Sequence, residues 1–298
     1  MADNKNSRAL RGLRSGKWLA AFLVVLLVLQ LIFTLADSKE NGKLYVHVLD
    51  VGQSDAILLR FGEASVLIDT GTATAQEQLR AALLYYGVKH LDHLVLTHLH
   101  EDHIGNARYL LEQYEVGQVL LPQVTSEELG AALLFDALSG VDADVMIAQA
   151  GACFSLGDAV VQVLYAPTGE AVSGDTDENN ESLVVRVTHG TNALLFMGDG
   201  EEGLENRLLA TVSHDLLDCD FLKVGHHGAA AASSDAFLAV ASPRLAAISC
   251  GKHNSYGFPH ADTLERLTAT GAGIYRTDQS GTLTFMSDGT DMTYLEKG

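Results

Sequence analysis

The spacing of apolar residues along this chain changes several times, and the changes divide it. From Trp18 to Ala36 the sequence WLAAFLVVLLVLQLIFTLA has no formal charge and no amphipathic stripe. As a helix it would be roughly 28 Å long at 1.5 Å per residue, close to the ~30 Å hydrocarbon core of a bilayer. Five bases precede it, Lys5, Arg8, Arg11, Arg14 and Lys17. Such a flank belongs on the cytoplasmic side and sends everything after Ala36 outward. The run exceeds the apolar region of about 7–15 residues in a cleaved signal peptide, and Thr34-Leu35-Ala36 is an indifferent cleavage site. An uncleaved single-pass anchor in the cell membrane is therefore expected, with an extracellular domain behind it. Cleavage is the alternative and would leave that domain secreted. No cysteine follows the run, which excludes a lipoprotein anchor. The expected organisation is a basic cytoplasmic tail at 1–17, a transmembrane anchor at 18–36, a polar linker at 37–43 and one domain at 44–298.

After the linker the period shortens. Segments 44–50, 55–61 and 65–69, rich in Val, Leu and Ile and separated by glycine-containing turns, predict strands. Helical spacing at 75–86 puts Leu79, Leu83 and Leu84 on one side. A strand is expected at 91–96, a helix at 104–114, a strand at 118–121 and a helix at 127–138. The second half repeats the style, with strands at 159–165, 182–188 and 193–197 before a helix at 201–210. Strand 220–224, helix 235–240, strand 245–249, helix 261–270 and a terminal β segment complete it. β pairs giving way to β-α alternation, twice over, predict two sheets packed together with helices outside, an α/β (α+β) fold.

Composition sharpens this picture. The chain has 298 residues, 47% hydrophobic and 19% charged, which excludes disorder and provides for a large core. Its net charge is −19, yet residues 37–298 alone carry 14 basic and 37 acidic side chains, a balance of −23. Nucleic acid is thus disfavoured as a partner, because so acidic a domain repels a polyanion. Three cysteines without a CxxC exclude a disulfide framework and a cysteine zinc knuckle.

The densest chemistry lies in Thr97-His98-Leu99-His100-Glu101-Asp102-His103. HLVLT before it is a buried-strand pattern, so His98 and His100 leave a strand end on one side, about 6.6 Å apart along extended backbone. Asp102 and His103 follow where the chain turns into a helix. Two close imidazoles beside an Asp-His pair can serve two neighbouring metal ions, which sit about 3.5–4 Å apart in hydrolytic sites. LLFMGDGEE later places Asp199 in a glycine-flanked turn after a strand, where a carboxylate can bridge two ions. DFLKVGHHGA then delivers His226 and His227 at a further strand end. His189 falls in the turn HGTN between two strands and is set aside as a ligand. Ser182 has no histidine neighbour and the chain no GxSxG elbow, so it is read as structural.

Taken in order, these motifs resemble the metallo-β-lactamase fold hydrolases. The closer similarity is to the hydrolase domains of ComEC-type competence proteins and their stand-alone relatives. DVGQSDA at 50–56 resembles that group's DVGQGDA, LKVGHHG its LKVPHHGS, and ISCGKHNSYGFPH its GxxNxYGHPH. LIDTG, NNESLVV and YRTDQSGTLT have counterparts too. The resemblance implies an αββα metallo-β-lactamase-type sandwich with two divalent ions between the sheets, zinc first and manganese as the alternative. Carried over residue by residue, it gives His98, His100, Asp102 and His103 as ligands, with Asp199 bridging. One of His226 and His227 is the last ligand or a proton donor, in an order left open. Asp69 resembles the family's buried strand-end acid, while Asp50, Gln53 and Asn179 are expected at the pocket. Asn179 stands where lactamases have a third histidine, which argues against lactamase chemistry. Ser54, Ala229 and Phe258 replace a glycine, a serine and a histidine of the ComEC-type pattern. His253 and His260 remain near the last of these.

The implied function is that of an exported, membrane-anchored metal-dependent hydrolase cleaving an anionic phosphodiester. A shared water would be lowered towards pKa ~7 by the two ions and attack as a bridging hydroxide. Asp102 would orient it, and a histidine of the 226–227 pair or His260 would protonate the leaving group. The alternatives are a hydrolase of another cell-surface ester or amide, and a metal-binding but catalytically silent binding module. A DNA-uptake role meets an objection, since an uptake channel needs many membrane helices and the sequence offers one apolar span.

Overall fold

A computed structural model describes residues 42–123, 129–168 and 178–296, together with 22, 24–26 and 28. The expected tail at 1–17, and all of the expected anchor except Phe22, Val24, Val25, Leu26 and Val28, lie outside the described residues. Those five are helical and exposed. Among the described residues no helix is long and apolar enough to cross a membrane.

Lys43–Gly298 forms one compact unit. Its first half contributes β1 (Leu44–Val48), β2 (Ile57–Phe61), β3 (Ala64–Ile68), β4 (His90–Val95), β5 (Glu115–Leu121) and β6 (Asp144–Ile147). Next come β7 (Cys153–Leu156), β8 (Ala159–Tyr165), β9 (Val184–His189), β10 (Asn192–Phe196), β11 (Phe221–Lys223), β12 (Leu245–Ile248) and β13 (Gly273–Arg276). The chain ends with β14 (Leu283–Ser287) and β15 (Met292–Tyr294). One sheet has the order β15-β14-β1-β2-β3-β4-β5-β6, the other β13-β12-β11-β10-β9-β8-β7. In each, an antiparallel half gives way to a parallel half, at β3 in the first and at β10 in the second.

Three buried layers hold the sheets and helices together. Val46, Leu59 and Val66 of the first sheet meet Val185, Leu194, Phe196 and Phe221 of the second. Alternate residues face the other way: Leu58, Leu67 and Leu94 pack under Leu79 and Leu83 of helix α1 (Gln76–Tyr85). Leu195 and Leu222 likewise pack under the helices Glu202–Thr211 and Asp235–Ala241 through Leu204, Leu208 and Phe237. With both faces covered, strands lose polar alternation and read as the apolar runs seen in the sequence. The expected αββα sandwich is thus the observed one.

Several local expectations change. The helix expected at 104–114 starts earlier and is broken, giving α2 (Glu101–Ile104) and α3 (Ala107–Gln113). The break lies where a side chain on Gly105 would collide with the backbone of Ala73, and where the Asn106 amide donates to the carbonyls of Thr70 and Thr72. Strands β6 and β7 were not anticipated, because all four residues of β6 are exposed and carry no burial pattern. The terminal β segment resolves into β13 on the second sheet and the β14–β15 hairpin on the first. There β14 pairs with β1, Leu44 opposite Ser287.

Candidate metal centre

Loops leaving the carboxyl ends of β3, β4, β10, β11 and β12 converge at one edge of the sandwich, where α/β folds generally place their sites. From them Asp102, His103, Asp199 and His227 bring ligand atoms within 4.8 Å of one another. His103 and Asp199 are fully or nearly buried, as is His227. His227 Nε2 lies 3.2 Å from Asp102 Oδ2 and 3.6 Å from Asp199 Oδ2, while His103 Nε2 lies 3.2 Å from the same Asp199 oxygen. His98 Nε2 is 4.0 Å from Asp199 Oδ2 and 3.0 Å from His100 Nδ1. Asp199 therefore stands between the His98–His100 pair and the Asp102–His103–His227 group.

The rear of each ring is fixed, and this decides which nitrogen faces inward. His103 Nδ1 donates to Asp69 Oδ2 at 2.8 Å, and His227 Nδ1 donates to the Ser249 carbonyl at 3.0 Å. Asp69 also accepts the Thr97 amide at 2.8 Å and the Thr97 hydroxyl at 2.7 Å. That hydroxyl has one proton to give, so its lone pair receives His98 Nδ1–H at 3.1 Å and His98 Nε2 is left bare. Rear hydrogen bonds of this kind orient metal-binding imidazoles.

The electrostatics agree with a cation seat. Burial alone raises the Asp199 carboxyl, but facing His103 and His227 outweigh it and hold it well below the usual carboxylate range. Asp102 is likewise held low, burial being outweighed by its bond to His227 and by His103. Despite burial, Asp199 and Asp69 lift His103 well above its ordinary value, and Asp199 and Asp102 lift His227. Burial and the neighbouring His103 charge hold His98 well below. His103 Nε2 and Asp199 Oδ1 are also buried without a hydrogen-bond partner among the described residues. Orphaned donors to metal inside a carboxylate–imidazole cluster fit divalent ions.

The two adjacent histidines separate. His227 joins the cluster, whereas His226 Nδ1 is held by Glu201 Oε1 at 2.7 Å with its Nε2 3.8 Å from Asp199 Oδ2. Both have left-handed backbone, φ 42° and 54°. The loops meet so closely that a side chain on Gly225 would collide with the Gly200 carbonyl. His260 stands outside the cluster: its Nδ1 accepts the Ala230 amide at 2.9 Å, and the Phe258 ring lies against it. Asn179 sits in the 3-10 turn Glu178–Glu181, beside the Glu178 carboxylate that reaches His100 Nε2 at 3.3 Å. Gln53 Oε1 receives the Gly251 amide at 3.0 Å, tying its loop to the loop after β12. Asp50 is exposed, and its amide donates to Thr282 Oγ1. Ser182 Oγ accepts the Asp199 amide at 3.1 Å, a structural role, and His189 is buried at the β9–β10 hairpin against Ser287.

Two supporting residues, Asp55 in DVGQSDA and Lys223 in LKVGHHG, lie inside these motifs without an expected role of their own. Lys223 Nζ bonds Asp55 Oδ2 at 2.7 Å with both side chains buried, and Asp55 Oδ1 lies 3.6 Å behind His227 Nδ1. The Asp55 amide donates to the Asp102 carbonyl at 3.2 Å. Their signal was a lone lysine in an apolar strand and an acid in an apolar run, each needing a buried partner.

An αββα sandwich with an Asp/His cluster between its sheets is the build of a metal-dependent hydrolase. Residues 49–253 match the Metallo-beta-lactamase superfamily, more than half of the chain, and the chain belongs to that family. Competence protein ComA of Neisseria gonorrhoeae is 30% identical over 279 residues, covering 92% of this chain and 36% of that protein. ComE operon protein 3 of Bacillus subtilis is 28% identical over 276 residues, covering 87% of this chain and 34% of that protein. The chain spans about a third of the length of these curated relatives, which carry the ComEC-type resemblance of the motifs. Among solved structures, the metallo-beta-lactamase fold protein YhfI from Bacillus subtilis shares the fold with a TM-score of 0.55 at 14% identity, covering 82% of this chain and 100% of that one. CmlA, a diiron beta-hydroxylase from Streptomyces venezuelae, does so at 0.52 and 15%, covering 85% and 54%.

Proposed function

We propose that the chain is a metal-dependent phosphodiesterase, exported and held at the membrane by residues 18–36. The observation that carries the hydrolytic reading is the convergence of Asp102, His103, Asp199 and His227 within 4.8 Å, with His98 and His100 alongside. Asp102, His103 and His227 would hold one divalent ion, His98 and His100 the other, and Asp199 would serve both. Such ions, zinc first and manganese as the alternative, supply Lewis acidity and a water deprotonated near neutral pH. His226, fixed from behind by Glu201, partly open to solvent and with Nε2 3.8 Å from Asp199 Oδ2, would give its proton to the leaving group. Asp69 and Ser249 keep the ligand rings from turning. The ComEC-type motifs favour a phosphodiester, and the acidic domain favours a small one over a nucleic acid. The basic flank of the apolar segment supports export.

Purified protein should bind stoichiometric metal and cleave bis(p-nitrophenyl) phosphate, with Asp102→Ala abolishing the cleavage. Wild-type protein that binds no stoichiometric metal and cleaves no phosphodiester would sink this reading.

A further inference from the structure

We propose that Phe258 and Tyr256 form an aromatic ledge beside the metal centre that stacks a planar ring carried by a small phosphodiester substrate. The inference rests on the phosphodiesterase reading and narrows its substrate class.

The ledge starts at the cluster and runs out to solvent. Phe258 lies 5.3 Å from the His226 ring and 6.3 Å from that of His227, ring centre to ring centre. Its plane is within 27° of His227's and within 15° of that of Tyr256, whose ring lies 5.4 Å away. Near-parallel rings therefore pass from a candidate ligand through Phe258 to Tyr256, and Tyr256 is 65% exposed. An exposed tyrosine ring continuing a stacked series offers its face to a further planar ring in offset geometry.

The surface is built in advance. Asn254 Nδ2 donates to the Gly251 carbonyl at 3.0 Å and to that of Phe258 at 2.7 Å, while its Oδ1 accepts the Phe258 amide at 2.9 Å. Pro259, buried, packs against Gly228 of the turn that carries His226 and His227. A ligand ring landing here has no loop to order first.

Two facts of sequence set the chemistry of the occupant. Phe258 stands where the ComEC-type pattern has histidine, so a group able to bind ions or protons is exchanged for a π face. The balance of −23 over residues 37–298 opposes a polyanion, but a diester with one or two charges meets far less repulsion. Both point to a short, ring-bearing diester rather than a nucleic-acid strand.

The test uses calorimetric binding, to the metal-loaded protein, of AMP and of ribose 5-phosphate, the monoester products that a ring-bearing diester and its ringless counterpart would leave, which differ by adenine in place of a hydroxyl. Stacking on aromatic side chains predicts that wild type binds AMP about tenfold or more tighter. Tyr256→Ala and Phe258→Leu should each remove most of that advantage, leaving ribose 5-phosphate affinity and metal stoichiometry unchanged. Equal binding of the two phosphates by wild type, no binding of either, or an advantage that survives in both variants overturns the ledge. Phosphocholine bound more tightly than AMP, and lost in Tyr256→Ala, overturns it in favour of a cationic group held by the same ring faces. These outcomes are separable from failure of the phosphodiesterase reading, which shows as wild-type protein without metal and without diester cleavage.

Discussion

Asp69 illustrates how far a single residue reaches in this fold. It bonds His103 directly, and through Thr97 it also fixes His98. Asp69→Asn leaves one acceptor oxygen where the carboxylate offers two, so His103 Nδ1–H and the Thr97 amide can no longer both be satisfied, and metal affinity should fall about 10–100-fold, read by competition with a chelator. A histidine away from the cluster contributes to acid sensitivity. His47 is 4% exposed, stacked on Tyr86 at 3.8 Å, and burial with the nearby Arg60 charge lowers its pKa to about 3. The folded value lies below the unfolded one near 6.5, so the His47 contribution to stability is whole above pH 6.5 and is lost from there down to about pH 3. His47→Phe keeps a ring on Tyr86 and should make the slope of unfolding free energy shallower over that window, by up to about 1.4 kcal/mol per pH unit. Urea unfolding at stepped pH measures this.

At the level of elements, the sheets are joined at the site by charge as well as by apolar packing. Lys223 in β11 and Asp55, just before β2, belong to opposite sheets, and Asp55 also reaches the Asp102 backbone and the rear of His227. Lys223→Met would leave Asp55 buried without its cation and with only the His227 ring 3.6 Å away, and should destabilise the chelator-treated protein by about 3–5 kcal/mol in urea unfolding. The double variant Lys223→Met with Asp55→Leu, which removes both charges, should recover much of that loss. Failure to recover would show that Asp55 acts mainly through its other contacts. This strut was not legible in the sequence because its residues are 168 positions apart. The break between α2 and α3 was illegible for a related reason: Gly105 and Asn106 answer to the segment at 70–73, not to their own helix.

For the whole molecule the charge balance matters most. A domain at −23 works against anionic substrates wherever they approach, and salt shortens that repulsion from about 30 Å at 0.01 M to about 8 Å at 0.15 M. Turnover of bis(p-nitrophenyl) phosphate at limiting concentration should therefore rise over that range, whereas a basic substrate channel would make it fall. The order of the sheets also belongs to this scale. β14 pairs with β1 across nearly the whole domain, so the two sheets are not the two halves of the chain.

Local periodicity settled the sandwich, because strands buried on both faces must be apolar throughout and helices apolar along one stripe. Motif spacing likewise pointed to the short segments that the fold brings together at one edge, since strand ends fix where a histidine two residues on will project. Neither could order His226 and His227: adjacent residues share every sequence signal. The left-handed turn at GHHG, with Glu201 on one side and Ser249 on the other, sent His227 into the cluster and His226 beside it. Phe258 reads in the sequence as a lost histidine, and only the fold shows its ring stacked on that of His227 and edge-on to that of His226. Packing between distant segments decides such matters, because the field and the contacts at a side chain come from whatever the tertiary fold brings against it.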